Sequence, residues 1–182
     1  MQYLKILSII APVLLNTIMD KNIFDEAEIQ ELLAENSINL LNNFIAEYGA
    51  NAVSIDKQRS LLEICTLENR EDLAMHLINM PGIDLDYQDI NGYSALHFAV
   101  QMNSLVLVDT LIAGKAKVNA TDRYGNSPLY KSVTEKVNPA IVIRLLESGA
   151  DVEQQNDFGY SPMRVINDNM PDIKQWIALN RK

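Results

Sequence analysis

Apolar residues along this chain fall in short clusters at helical spacing, separated by turns rich in Gly, Asn, Asp and Ser. At the start, Lys5, Ser8, Pro12 and Asn16 interrupt an apolar run at three- and four-residue steps, the polar stripe of an amphipathic helix. Residues 26–35 and 37–48 carry the same period and predict a helix pair ending at Gly49-Ala50-Asn51. Further helices are expected over residues 70–79, before Pro81-Gly82, and over residues 172–180.

The pattern then repeats. Asp89-Ile90-Asn91-Gly92-Tyr93-Ser94-Ala95-Leu96-His97 aligns with Asp122-Arg123-Tyr124-Gly125-Asn126-Ser127-Pro128-Leu129-Tyr130 and with Asn156-Asp157-Phe158-Gly159-Tyr160-Ser161-Pro162-Met163, so the glycines stand 33 and 34 residues apart. Each unit also ends alike, Leu145–Val152 echoing Leu111–Val118 in slightly imperfect register. Gly92, Gly125 and Gly159 suit a turn residue with positive φ. Ser94, Ser127 and Ser161 stand where a hydroxyl can cap a helix, and Pro128 and Pro162 stand at its first position. Gly114 and Gly149 suit a left-handed helix end, and Asn103 a similar reversal between two helices. Asp56 lies 33 residues before Asp89, but Arg59 takes the glycine's place with one residue deleted, which predicts a distorted or shorter turn.

These residues resemble the ankyrin repeat, whose pattern is Asp-x-x-Gly-x-Thr-Pro-Leu-His, an apolar helix, then Leu-Leu-x-x-Gly-Ala. The resemblance implies an all-α solenoid of stacked helix-turn-helix units with projecting hairpin loops. An N-terminal capping helix is expected over residues 1–20, a degenerate first repeat over 21–55, repeats over 56–88, 89–121 and 122–155, and a capping repeat over 156–182. It further implies a non-catalytic module, without cofactor, that binds another protein through variable positions. Those at the loop tips are Ile90, Asn91 and Tyr93, then Arg123, Tyr124 and Asn126, then Asp157, Phe158 and Tyr160. Gln101, Met102, Thr134 and Glu135 complete a concave face. The expected contact set is Ile90, Tyr93, Met102, Arg123, Tyr124, Asn126, Glu135, Phe158 and Tyr160. Tyr, Phe and Arg are favoured at interfaces; the other reading is that some of these rings lie flat on neighbouring loops.

Composition changes the picture in three ways. At 182 residues and 48% hydrophobic, the chain is long enough to bury a substantial core. A net charge of −9 speaks against nucleic acid, which wants gathered Lys and Arg. Between Asp20 and Asp56, eight carboxylates face one base, Lys21, which is either a solvated helix face or an attraction for a basic partner. The acidity and small size look similar to stand-alone bacterial ankyrin proteins, some of which are immunity proteins inhibiting toxins.

Few side chains look chemical. His97 matches the family's Leu-His position, where the imidazole bonds loop backbone, and His76 has no metal-binding neighbour at helical spacing. Cys65 aligns with Ala99 and reads as a small, buried, inert thiol; it is the chain's one cysteine, which fits a reducing, cytoplasmic setting. Trp176 reads as a core plug. No phosphate-binding, nucleophile-elbow or zinc-protease motif occurs, and the first apolar run is too short and interrupted to span a bilayer. The alternative for that run is a secretory signal, making the protein a secreted or periplasmic effector. A monomer is expected when free.

Overall fold

The computed structural model describes residues 23–180, so the helix expected over residues 1–20 lies outside the described residues. Ten α-helices among them form five pairs: α1 (Gln30–Glu35) with α2 (Ile38–Tyr48), α3 (Leu61–Leu67) with α4 (Glu71–Ile78), α5 (Ala95–Gln101) with α6 (Leu105–Ala113), α7 (Pro128–Thr134) with α8 (Pro139–Glu147), and α9 (Pro162–Asn169) with α10 (Pro171–Asn180). A 3-10 turn over Glu26–Ile29 precedes α1. The first helices α3, α5, α7 and α9 pack side by side in one row, and the second helices α2, α4, α6, α8 and α10 in another. The result is the all-α solenoid that the resemblance implies.

No helix of six to eleven residues is stable alone in water, so burial between neighbours holds each one. Leu61, Leu73, Leu77, Leu96, Leu107, Leu111, Leu129, Ile141 and Leu145 are fully buried in one core that runs from unit to unit. Cys65, Ala99 and Ser132 occupy equivalent places on successive first helices, and all are small and wholly buried. Burial pushes the Cys65 thiol up to about 12, which leaves it protonated and inert, as expected. Trp176 is half-buried against the core at the far end.

The reversals follow conformational rules. Asn36, Asn69, Asn103 and Lys136, with φ between 49 and 56°, turn the chain between the two helices of the first four units. After the second helices, Gly49, Gly82, Lys115 and Gly149 hold φ of 88, 80, 73 and 88°. Lys115, and not Gly114, is therefore the left-handed residue; Gly114 is an ordinary helix end at φ −72°. What Gly114 supplies is space, since a Cβ there would come within 2.7 Å of Leu85 Cδ1. Ser127 Oγ accepts from the Tyr130 N–H at 3.2 Å as expected, whereas Ser161 makes no capping bond.

The turn that opens the second unit needs a different alignment. Ser54, and not Asp56, takes the place of Asp89: its N–H donates to the Arg59 carbonyl, as the Asp89 N–H donates to Tyr93. Its Oγ accepts from the Arg59 N–H at 3.2 Å. Gln58, at φ 49°, occupies the glycine's place, and the turn is one residue longer, not shorter. Upstream, β1 (Ile23–Phe24) pairs in parallel with β2 (Val53–Ser54), a short element outside the all-helical expectation. It seats Phe24 against Phe44, edge-on at 5.0 Å between ring centres, and Phe44 stacks on Tyr48 at 4.6 Å.

Gly125 and Gly159 have nearly the same φ, 76 and 75°, but only Gly125 faces a following loop, where a Cβ would meet the Asp157 nitrogen at 2.9 Å. Gly125→Ala should lower the urea-unfolding free energy by about 2 kcal/mol or more, and Gly159→Ala by about 1 kcal/mol. Equal losses would show that loop contact adds nothing to backbone strain.

Candidate functional site

One side chain holds each loop. Asp89 Oδ1 accepts from the N–H groups of Asn91 at 2.8 Å and Tyr93 at 3.0 Å. Asp122 Oδ1 accepts from Tyr124 and Asn126, both at 2.9 Å, and Asn156 Oδ1 from Phe158 and Tyr160, both at 3.0 Å. Successive loops then bond backbone to backbone: Ile90 N–H to Lys57 O at 3.2 Å, Arg123 N–H to Asn91 O at 2.8 Å, and Asp157 N–H to Tyr124 O at 3.0 Å. The tips therefore form one braced edge, and side chains there start from fixed positions.

Beneath the tips, the third residue after Ser60 and after Ser94 reaches back to the loop. His97 Nδ1 accepts the Ser94 N–H at 3.1 Å, so the ring proton resides on Nε2, which donates to the Asn126 carbonyl of the next loop at 3.1 Å. Burial pulls the His97 pKa down and keeps the ring neutral. Its role is the structural one anticipated. Glu63 holds the same place one unit earlier: Oε2 accepts from the Ser60 N–H at 2.7 Å, and the Glu63 N–H donates to Ser60 Oγ at 3.2 Å.

The predicted contact residues divide into two groups. Ile90, Arg123, Tyr124, Glu135, Phe158 and Tyr160 are exposed, Phe158 by 67%. Tyr124 and Phe158 lie beside each other, ring centres 6.3 Å apart. Tyr93, Asn126 and Met102 are only partly exposed. Where another unit follows, the residue after the glycine is engaged by its neighbours and not left free at the surface. Asn126 bonds Asp122 through its amide nitrogen at 3.0 Å and accepts from the Asn156 amide at 2.8 Å. Tyr93 lies on Phe98, at 5.3 Å between ring centres.

Tyr93 belongs to a line of contacts that sequence reasoning missed. The Arg59 guanidinium sits 5.2 Å from the Phe98 ring centre, and the Lys131 ammonium 5.3 Å from that of Tyr93. Arg59 and Tyr93 are equivalent positions in successive units, as are Phe98 and Lys131, so the same pair recurs with ring and cation exchanged. Asp89 closes one end through Arg59 Nε at 3.4 Å, and Glu135 the other through Lys131 at 2.9 Å. Burial lowers the Lys131 pKa, but contacts with Tyr93 and Glu135 outweigh it and hold the pKa above its usual value. Comparing equivalent positions across units, instead of scanning along the chain, would have revealed this alternation. Beside the line runs an open groove of about 340 Å³, walled by Arg59, Asn91, Tyr93, Gln101, Arg123 and Tyr124. No cluster of His, Cys, Asp or Glu that could hold a metal occurs among the described residues.

The family model for ankyrin repeats (3 copies) matches residues 61–156. Palmitoyltransferase AKR1 of Lachancea kluyveri is 28% identical over 130 residues, covering 69% of this chain and 18% of that protein. The nuclear factor NF-kappa-B p105 subunit of Gallus gallus is 29% identical over 121 residues, 64% of this chain and 12% of that protein. Ankyrin repeat protein OPG189 of variola virus is 28% identical over 87 residues, 48% of this chain and 15% of that protein. The match thus spans less than a fifth of each of these relatives.

Burial pushes Glu63 from 4.5 up to about 8, and the hydrogen bonds from Ser60 reverse only part of the shift. The folded chain therefore binds a proton that the unfolded chain releases, and this contribution to stability is complete below about pH 4.5 and lost as pH rises through about 8. Glu63→Gln cannot ionise. Relative to it, the wild type should lose up to about 1.4 kcal/mol per pH unit across that range in urea unfolding, with His97 cancelling between the two proteins. Parallel stability profiles would refute a protonated Glu63.

Proposed function

Because the chain belongs to the ankyrin-repeat family, whose members are in general non-catalytic protein-interaction modules, we propose that it clasps a partner protein between its loop tips and first helices. The observation that carries this reading is the braced edge: exposed Tyr124 and Phe158 project from loops already fixed by hydrogen bonds, so binding freezes few degrees of freedom. Large rings at such positions bury much area per rotor. The match to a palmitoyltransferase covers 18% of that protein, and no activity is carried over from it.

The narrower reading is an inhibitor, such as an immunity protein, of a basic toxin domain. It is supported by the first unit, where Asp25, Glu28, Glu31, Glu35, Glu47 and Asp56 are all exposed and no Lys or Arg lies between residues 23 and 56. Such a field raises the encounter rate with a basic protein at low salt.

Tyr124, Phe158 and Tyr160 changed together to Ala should leave helical circular dichroism intact yet abolish capture of the partner in a pull-down from the native source. Capture at wild-type yield would place the contact elsewhere. For the inhibitor reading, Glu31, Glu35 and Glu47 changed to Lys should slow association with the captured partner about tenfold at low salt and flatten its salt dependence. An unchanged association rate would exclude a basic partner steered by this unit.

A further inference from the structure

We infer that the groove beside the loop tips takes an acidic segment of the partner, seating a carboxylate against Arg59 and Arg123. This inference rests on the protein-binding reading above and adds the chemistry of what enters the groove. The groove's walls hold two guanidiniums and one carboxylate, Asp89. Asp89 is already engaged: Oδ1 takes the Asn91 and Tyr93 N–H groups at 2.8 and 3.0 Å, and Oδ2 takes Arg59 Nε at 3.4 Å. Its side chain is 1% exposed, against 15% for Arg59. The charge that the groove presents to an incoming group is therefore positive, within a chain whose net charge is −9.

Arg123 supplies most of that charge. Among the described residues it pairs with no carboxylate; its one hydrogen bond through the side chain runs from Nη1 to Asn91 Oδ1 at 3.0 Å. The guanidinium also lies over the Tyr124 ring, 5.2 Å from its centre, a second contact that restrains it. Four of the five N–H donors of this fork have no acceptor among the described residues, and a carboxylate meets such a fork in two parallel bonds. Arg59, in the loop on the other side of Asn91, lies likewise over Phe98, at 5.2 Å from its ring centre. Both cations are thus preorganised, which lowers the entropy cost of binding an anion. The rings Tyr93 and Tyr124 in the same walls accept the apolar neighbours of that carboxylate. A polyanion such as nucleic acid fits poorly, because a chain with a net charge of −9 repels a long charged polymer while a short segment meets only the groove.

The test uses the full chain. A random peptide library is panned against it at low salt, and the enriched peptides are synthesised and titrated by fluorescence anisotropy against wild type, Arg123→Glu and Tyr124→Ala. The expected outcome is enrichment of Asp- and Glu-bearing peptides that lose about tenfold or more affinity with Arg123→Glu and weaken as salt rises. Helical circular dichroism of each variant checks the fold, and Arg123→Gln gives a milder version of the loss. Enriched peptides that are neutral or basic, weakened by Tyr124→Ala and indifferent to Arg123→Glu, overturn the acidic-segment inference and leave the binding groove standing. Peptides indifferent to both changes, or no enrichment at all, overturn the groove as well.

Discussion

Successive loops approach each other backbone to backbone, and at two of the junctions closer than a side chain at the turn would permit. At Gly92 an added Cβ would meet the Arg123 nitrogen at 2.8 Å, and at Gly125 the Asp157 nitrogen at 2.9 Å. The bonds from Arg123 N–H to Asn91 O and from Asp157 N–H to Tyr124 O occur at these same junctions. At these two junctions the glycine sets how closely the loops approach, while in the second unit Gln58 takes the same position and the Ile90 N–H still reaches the Lys57 carbonyl, at 3.2 Å. At Gly159 nothing lies within 4 Å, because no further loop follows among the described residues. Helix burial supplies most of the stabilising free energy, but it tolerates sliding; the loop junction fixes which residue faces which.

From that junction the remaining positions acquire unequal duties. The residue before the glycine lends its carbonyl to the next loop and keeps its side chain outside, as Asn91 and Tyr124 do. The residue after it is carried inward, beneath the following unit. There it meets the fourth residue past the next capping Ser, and the contact asks for one cation and one ring without caring which unit supplies which. Arg59 with Phe98 and Tyr93 with Lys131 are the two solutions. The next junction has Asn126, whose amide is engaged by Asp122 and Asn156, and the line of rings and charges stops there. The groove lies along the part of the edge where that line exists, which links its place in the fold to a local packing choice.

Much of this was legible in sequence because period and turn chemistry are local. The glycine spacing, the helices over residues 37–48 and 70–79, the prolines that start helices and the Asn103 reversal all follow from short-range rules, and the structural role of His97 follows from the resemblance to the ankyrin repeat. What was misread depended on partners distant in sequence or on rules with more than one solution. Lys115 adopts the left-handed conformation that glycine usually fills, since the strain of about 1 kcal/mol is small beside the helix packing around it. Gln58 does the same in the second unit, so searching for a glycine there led to Arg59 and an inverted sign for the turn's length. Tyr93 carries no mark distinguishing an inward ring from an outward one; only the presence of Lys131 and Phe98 across the junction decides it. The pairing of β1 with β2 joins residues some thirty apart through two hydrogen-bonded positions, too few to leave a pattern.

Charge in this chain is sorted by depth as well as by sign. Exposed carboxylates crowd the first unit, while the cations Arg59, Arg123 and Lys131 are laid on rings along the loop edge, two of them in contact with acids of their own. These arrangements act over different ranges. An exposed acidic field reaches about one Debye length, roughly 8–10 Å in physiological salt, and responds to the overall charge of whatever approaches. A stacked guanidinium inside a groove acts at hydrogen-bond distance and responds to one group. A partner that is basic as a whole and carries one acidic segment satisfies both, and only in one orientation, because the first unit and the groove lie at different places along the stack. For such a partner opposite signs at the two ranges would not compete; the first would govern how often the molecules meet, and the second which way round they stay.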